Sequence, residues 1–220
     1  MIKRILSYLL PIKIYQKKSA VSSNLEVTWN NGQLVLDSKN TNYSYGSLER
    51  ILRKGLLYIG FERIRKFENI LVLGVAGGSV IKTLTQEVKF KGKITGVEID
   101  DVAIEIAQKF FQLQAIPNFQ LIQDDAFEFV LKTKEKYDLI IIDVFQDTKM
   151  PNFLFEYFFI NRINYLLQVN GFILFNTMVL NQKNKERNQN YRTKFNENYS
   201  VRLYPKVEEH NELFTIKKLN

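Results

Sequence analysis

The chain has no cysteine and only one histidine among its 220 residues, and these two scarcities remove whole classes of site. Without cysteine there are no disulfide bonds and no thiolate metal ligands, which suits a reducing compartment. With His210 alone, no metal site can be built from several histidines. No apolar stretch reaches the roughly 20 residues that a bilayer-spanning helix needs. We therefore expect a cytoplasmic protein with no bound metal and no membrane partner.

The chain carries more positive than negative charge. It has 31 Lys and Arg residues and 23 Asp and Glu residues, which give a net charge of +8. Such a balance is compatible with an anionic partner such as nucleic acid. No block of like charges is long enough to act as a basic tail, so a solvated basic surface is favoured over a nucleic-acid partner.

The N-terminal part has a pattern of its own. Residues 1–11 carry a short, interrupted apolar run without a small-residue cleavage pattern, which favours a short amphipathic helix over a signal peptide. Two strand-like runs, residues 25–29 and 33–36, flank Asn30-Asn31-Gly32. Because Asn and Gly both tolerate positive φ, this arrangement predicts a β-hairpin. His210, far away in the C-terminal part, has no acid or nucleophile at motif spacing and is assigned a structural or exposed position.

Helical and strand patterns alternate from residue 47 onward. Helices are predicted over residues 47–60, where apolar residues recur at helical spacing, and over residues 80–86, 101–113, 126–132 and 153–167. Residues 183–196 are predicted to form a polar, basic helix. Apolar runs predict buried strands over residues 70–73, 94–99, 119–122, 137–142 and 171–176. Residues 200–204 and 212–217 are predicted to pair as an antiparallel hairpin. We predict an α/β fold over residues 47–220, with a doubly wound, Rossmann-like, mostly parallel seven-stranded sheet. Residues 1–46 are predicted to form a helix and β-hairpin extension.

The loop after the first strand of this sheet is the first of four features at the expected ligand-binding end. It comprises Gly74, Val75, Ala76, Gly77 and Gly78. Its glycines allow close approach of a ligand to the backbone, and the following helix offers free N–H groups. The loop lacks a Gly-Lys-Ser/Thr ending and departs from G-x-G-x-x-G, which excludes a phosphate P-loop and weakens a dinucleotide fingerprint. A tight turn without a ligand is the alternative.

Two acidic positions follow at the ends of the next strands. Glu98, with Ile99 beside it, is placed to accept both ribose hydroxyls of a nucleoside; the alternative is a surface glutamate that caps the next helix. Asp124 or Asp125 is placed to accept an adenine amino group, and Ala126 leaves room for the base. Either aspartate is an equally good N-cap, and a pair allows one to cap while the other binds.

Asp143 ends the fourth strand and is placed to accept a proton from an amine nucleophile or to steer a cationic group. An ordinary aspartate with a pKa of about 3.9 is a weak base, so this role requires desolvation. Capping of the following loop is the alternative. Tyr45 is expected near the mouth of the pocket, although an aromatic residue there also suits packing, and Asp147 lies in the loop after Asp143. Tyr43 shares the prediction made for Tyr45.

In this order and spacing, these residues resemble the spermidine synthase family within the class I S-adenosylmethionine-dependent methyltransferase fold, over residues 25–217. The matching segments are the N-terminal hairpin, the glycine loop, residues 97–100, residues 125–129 and residues 137–143. The resemblance implies that S-adenosylmethionine or its decarboxylated form binds, that a small molecule is the acceptor, and that the protein forms a homodimer. It also implies that Asp143 is the base and that Asp147 contacts the substrate.

Two departures from the family pattern bear on the reaction. Gly77 stands where the family has the acid that holds the aminopropyl ammonium, and in the loop after Asp143 the second acid, Asp147, comes one residue late and the proline is missing. A helix N-terminus without the loop acid favours the carboxylate of S-adenosylmethionine. We therefore predict methyl transfer to an unidentified acceptor. Aminopropyl transfer to make polyamines is the first alternative, and the second is a non-catalytic protein that binds nucleosides, or nucleic acid through the basic helix of residues 183–194.

Overall fold

A computed structural model of the protein describes residues 2–38 and 42–220, and its strands form two sheets. The strands are β1 (Ile12–Ser19), β2 (Ser23–Asn30), β3 (Gln33–Asp37), β4 (Asn42–Ser44), β5 (Asn69–Leu73), β6 (Lys93–Glu98), β7 (Phe119–Gln123), β8 (Tyr137–Ile142), β9 (Leu167–Met178), β10 (Tyr199–Glu208) and β11 (Asn211–Lys218). The α-helices are α1 (Ile2–Leu6), α2 (Gly46–Ile59), α3 (Phe61–Ile64), α4 (Ser79–Lys82), α5 (Asp101–Phe111), α6 (Ala126–Lys132), α7 (Tyr157–Leu166) and α8 (Gln182–Arg192).

The larger sheet has the strand order β10-β11-β9-β8-β5-β6-β7. Strands β5 to β9 are paired in parallel, whereas β11 is antiparallel to both β9 and β10. The order reverses between β5 and β8, and such a reversal opens a crevice at the carboxyl ends of the strands. The predicted doubly wound sheet of seven strands with a C-terminal antiparallel hairpin is thereby confirmed.

Apolar side chains cover both faces of this sheet. In β5, Ile70 and Val72 pack with α2, whereas Leu71 and Leu73 pack on the opposite face with α6 and α7. Alternate residues of a strand point to opposite faces, so a strand covered on both sides needs an uninterrupted apolar run. The central strands therefore hold the crevice on a rigid, fully buried support.

The N-terminal sheet is larger than the predicted hairpin and has the order β1-β2-β3-β4. The hairpin itself is β2 and β3, with Asn31 and Gly32 at positive φ in the turn, as predicted. Strand β1 was not predicted, because it is a lysine-rich edge strand with no fully buried residue. The turn-rich segment of residues 37–45 contains β4 and lies partly outside the described residues.

Asp100 joins the N-terminal sheet to the larger sheet. One of its carboxylate oxygens caps α5 through the N–H groups of Val102 and Ala103, and the other accepts the hydroxyls of Ser19 and Ser22. The turn between β1 and β2 is thereby held beside the carboxyl end of β6. The division into residues 1–46 and 47–220 stays a prediction.

Several helices differ in extent from their predictions. The helix predicted over residues 80–86 is a short α4 followed by a π-helical turn, Thr83–Glu87. The helix predicted over residues 153–167 begins with a 3₁₀ turn, Asn152–Phe155, and α8 ends at Arg192 instead of residue 196. Within the described part of the chain, no helix is both long and apolar enough to cross a membrane.

Candidate active site

A cavity of about 350 Å³ occupies the crevice where the strand order reverses. Its walls are the carboxyl ends of the parallel strands, the loop of residues 143–151 and the edge of the N-terminal sheet. Of the residues predicted for the site, those that line the cavity are Gly74, Ala76, Glu98, Ile99, Asp124, Asp125, Ala126, Asp143 and Asp147. Those outside its lining are Tyr45, Val75, Gly77 and Gly78.

Five N–H groups in and beside the glycine loop are already occupied, and those of Val75 and Ala76 bond to Glu98. Those of Gly74 and Gly78 bond to main-chain carbonyls, and that of Ser79 bonds to the Ser44 hydroxyl at 3.1 Å. A side chain at Gly74 would lie 2.1 Å from the carbonyl oxygen of Asp143, so glycine is required by the close approach of the backbone. The following helix α4 has only four residues. These five N–H groups, which the sequence predicted to be open to an anion, are therefore engaged within the protein.

Glu98 organises this loop from the end of β6. Its Oε2 accepts the N–H groups of Val75 and Ala76 at 3.0 and 2.9 Å, and its Oε1 accepts those of Ile99 and Asp100. Burial raises the pKa of Glu98, and the backbone hydrogen bonds counteract that rise. Glu98 is therefore not the exposed helix cap of the alternative interpretation. A ribose hydroxyl that binds Glu98 must share oxygens that already accept two N–H groups each.

Tyr45 lies behind the loop and not at the mouth of the cavity, which corrects its predicted position. Its hydroxyl donates to the carbonyl oxygen of Gly77 at 3.2 Å, and its ring stacks on Phe111 with 4.5 Å between centroids. Tyr43, two residues earlier and predicted for the same position, does line the cavity. Gly77 is enclosed as well, because a Cβ there would approach the Cβ of Ser44 to 2.8 Å.

Asp124 and Asp125, which follow β7, have different hydrogen-bond partners. Oδ1 of Asp125 accepts the N–H groups of Phe127 and Glu128 and caps α6, so Oδ2 takes no part in the cap. Oδ1 of Asp124 accepts the N–H of Asp125, and its Oδ2 lies 3.7 Å from Lys132. Both residues line the cavity, and Asp125 performs the capping that the sequence left open between them.

Asp143 lines the cavity and is hydrogen-bonded to a pair of buried side-chain amides. The side-chain amide of Asn176 donates to its Oδ1 at 2.8 Å, and that of Asn211 donates to Asn176 at 3.0 Å. Burial raises the pKa of Asp143 to about 7, although the Asn176 hydrogen bond lowers it and the Glu98 charge raises it. Sequence reasoning missed both asparagines. A signal was available, because Asn176 interrupts an apolar strand and is fully buried.

The loop of residues 143–151 is fastened to the N-terminal sheet. The Tyr43 hydroxyl accepts the N–H of Asp147 at 2.9 Å and donates to the carbonyl oxygen of Phe145 at 3.3 Å. The Ser38 hydroxyl donates to Oδ1 of Asp147 at 2.6 Å. These bonds hold Asp147 in the lining of the cavity, beside the edge of the N-terminal sheet.

The charge of the cavity is opposite to that of the whole chain. Its acidic side chains are Glu98, Asp124, Asp125, Asp143 and Asp147. None of the described residues that line it is a lysine, an arginine or a histidine. Clustered charges of one sign in a cleft with low-dielectric walls concentrate the opposite charge. The arrangement therefore suits a cationic ligand and contains, in Asp143, an acid able to take a proton near neutral pH.

A protein-family model described as the spermine/spermidine synthase domain matches residues 49–218. The chain is 30% identical over 141 residues to a protein named polyamine aminopropyltransferase from Vibrio vulnificus, which covers 63% of this chain and 47% of that protein. This chain thus spans about half, or less, of the length of the curated relatives it matches.

Solved structures show the same fold. Spermidine synthase from Thermotoga maritima superposes with a TM-score of 0.71 at 19% identity, over 95% of this chain and 73% of that one. Human methyltransferase-like protein 13, in complex with SAH, superposes with a TM-score of 0.65 at 18% identity, over 78% of this chain and 82% of that one. With its sheet, its crevice and a family match across most of its length, this chain belongs to the spermine/spermidine synthase family.

Proposed function

We propose that this chain transfers an aminopropyl group from decarboxylated S-adenosylmethionine to a small polyamine acceptor. The observation that carries the proposal is the acidic lining of the cavity, with no basic side chain among its described residues. Decarboxylated S-adenosylmethionine has a sulfonium and an ammonium but no carboxylate, and a polyamine is also cationic. S-Adenosylmethionine would place its carboxylate among five acidic side chains, at a cost in electrostatic energy.

The occupied glycine loop supports the same choice. The methyl-transfer prediction depended on free N–H groups that would receive the carboxylate of S-adenosylmethionine. In this structure, the N–H groups of Val75 and Ala76 donate to the Glu98 carboxylate, and that of Ser79 donates to the Ser44 hydroxyl. A ligand without a carboxylate needs no such donors. The name of the Vibrio vulnificus relative, a polyamine aminopropyltransferase, agrees with this choice.

The residues around the cavity fit an adenosyl group. A volume of about 350 Å³ lies within the range of small-molecule pockets, roughly 300–1,000 Å³. Ile99 is 42% exposed and offers an apolar surface to a base, beside the small side chain of Ala126. Oδ2 of Asp125 is free of the helix cap and suits an exocyclic amino group. Glu98 is the acid that we assign to accept the ribose hydroxyls.

Asp143 is assigned the role of general base. The bound sulfonium supplies an electrophilic carbon next to its sulfur, and the C–S electrons leave with the sulfur as a neutral thioether. Asp143 takes the proton from the acceptor ammonium, which frees the nitrogen lone pair for the new C–N bond. Its pKa of about 7 suits proton transfer near neutral pH. Asn176 holds Oδ1, so Oδ2 faces the acceptor with a fixed orientation.

Tyr43 and Asp147 are assigned the acceptor side of the cavity. Tyr43 fixes the backbone of the loop at Asp147, and the Asp147 carboxylate then offers a second negative charge to a diamine. Two carboxylates in the lining of one cavity, Asp143 and Asp147, suit the two charges of a short dication.

Methyl transfer is the second candidate, and one observation favours it. The position of the family's loop acid is Gly77, and Ser44 and Phe111 leave no room for a side chain there. The aminopropyl ammonium therefore lacks the partner that the family resemblance assigns to it. Under this candidate the acceptor is a neutral or cationic nucleophile, still oriented by Asp143.

Turnover separates the two candidates. The full chain is incubated with putrescine and either decarboxylated S-adenosylmethionine or S-adenosylmethionine, and products are identified by mass. The proposal expects a mass increase of one aminopropyl group on putrescine with the first cosubstrate only. A methylated acceptor with the second cosubstrate, and no product with the first, contradicts it. Asp143→Asn serves as the control for background alkylation.

A further inference from the structure

A second cavity, of about 340 Å³, lies on the outer strands of the larger sheet, away from the acidic one. It lies between the C-terminal end of α2, α3 and the β10–β11 hairpin. Phe172 forms part of its floor, and Asn176 of the acidic cavity lies four residues further along β9. At roughly 3.3 Å per residue, the two positions are about 13 Å apart along the strand.

Three cationic side chains line this second cavity: Arg63, Arg202 and Lys217. No aspartate or glutamate is among its described lining residues, and within the described chain none of the three forms an ion pair. Other basic residues nearby do have acidic partners, as Arg65 has Glu62 at 2.8 Å. Uncompensated like charges on one concave surface repel one another unless an anion joins them.

The strand register brings the donors together. Arg202 is opposite Thr215, and Ser200 is opposite Lys217, so two cations and two hydroxyls share one face of the hairpin. Directly opposed residues of antiparallel strands have Cβ atoms about 5 Å apart. The guanidinium of Arg63 lies 5.1 Å from the ring centroid of Phe172 and reaches the same surface from α3.

An aromatic pair forms one wall. Tyr58 and Tyr204 stack with 3.9 Å between centroids and 12° between planes, and Tyr58 remains 43% exposed. Flat aromatic side chains stack on nucleobases without regard to sequence. A guanidinium and an ammonium beside hydroxyl donors bind phosphate oxygens.

We propose that this surface binds one nucleotide unit, with its phosphate held by Arg202 and Lys217 and its base against Tyr58. The unit is either a free nucleotide or part of a single-stranded RNA. The site is separate from the proposed transferase chemistry and does not depend on it. It also differs from the predicted nucleic-acid contact through residues 183–194, which lie on α8 and the turn after it.

Uridine probes test the proposal, because they lack the adenine base expected in the acidic cavity. Calorimetry of the full chain is expected to show binding of uridine monophosphate and none of uridine. The double variant Arg202→Gln/Lys217→Gln is expected to bind at least about tenfold more weakly. The matched variant Lys183→Gln/Lys185→Gln removes the same charge from exposed positions on α8 and is expected to stay within about twofold.

A short oligouridine distinguishes a free nucleotide from single-stranded RNA as the ligand. Binding of the oligomer with little binding of the mononucleotide assigns the site to RNA, provided that the Arg202/Lys217 variant weakens it. Amide shifts of Ser200 and Thr215 in the unmodified chain give a second measurement that needs no variant. Equal losses in both double variants, or shifts confined to other surfaces, would overturn the proposal, as would no binding of either uridine phosphate.

Discussion

Two cavities of this protein have similar volumes, about 350 and 340 Å³, yet they are lined by charges of opposite sign. The acidic one is built from the ends of buried parallel strands, and its acids are fixed by backbone N–H groups and asparagines. The basic one lies on the outer hairpin. A net charge of +8 therefore describes the surface and gives no information about the ligand of the crevice.

The largest expected effect comes from removing the base in the acidic cavity. Asp143→Asn keeps the shape and the Asn176 contact but cannot accept a proton. We expect kcat to fall by about 10²–10⁴, the usual contribution of general base catalysis. Steady-state kinetics with the productive cosubstrate measures this loss, and Glu128→Gln, at an exposed position outside the cavity, is the control. Unchanged kcat would remove Asp143 from the chemistry.

The same substitution is expected to stabilise the fold at high pH. A pKa of about 7 in the folded state, above the ordinary value, means that folding favours the protonated acid. Stability is therefore lost as pH rises from about 4 through 7, and a residue that does not titrate avoids this loss. We expect Asp143→Asn to be more stable by about 1–3 kcal/mol at about pH 8.5 and nearly equal to the parent at about pH 4. Urea unfolding at both pH values tests this; a variant that is less stable at the higher pH contradicts it.

Glu98→Ala is expected to weaken cosubstrate binding at least about tenfold, because the loop loses the acceptor of four N–H groups and the ligand loses its ribose partner. The apparent melting temperature should fall as well. Glu105→Ala removes an acid of α5 that bonds to Tyr15 and Lys17 of β1, outside the cavity lining, and should leave affinity unchanged. Equal affinity in Glu98→Ala and the parent would exclude Glu98 from the binding site.

The smallest expected effect is at Tyr43. Tyr43→Phe removes the hydroxyl that fixes Asp147 and Phe145 but keeps the ring. Loss of one net hydrogen bond, about 0.5–1.5 kcal/mol, predicts a rise in KM for the acceptor of roughly two- to tenfold with little change in kcat. Tyr45→Phe is the matched control behind the loop, and an equal effect there would contradict a specific role for Tyr43.

The sequence was sufficient to predict the sheet and the acidic residues of the cavity lining, because acids that follow parallel strands must meet at one edge. The sequence was insufficient where one or two contacts determine the position of a side chain or the partner of a backbone N–H group. Tyr43 and Tyr45 differ by two residues, and a kinked backbone at Tyr45, with φ of 68°, sends their rings to different sides. The occupancy of the loop N–H groups depends on Glu98 and on Ser44, which is distant in sequence. Only packing reveals that partnership.

Selection between the carboxylated and decarboxylated cosubstrates tests the central claim most directly. Calorimetry of the full chain, at equal ionic strength, compares S-adenosylmethionine with its decarboxylated form. An acidic cavity whose neighbouring loop N–H groups bond to Glu98 and Ser44 predicts that the decarboxylated form binds at least about tenfold more tightly. It also predicts that Asp147→Asn reduces the difference in affinity between the two cosubstrates. Equal or tighter binding of S-adenosylmethionine would contradict the account and restore methyl transfer as the better assignment.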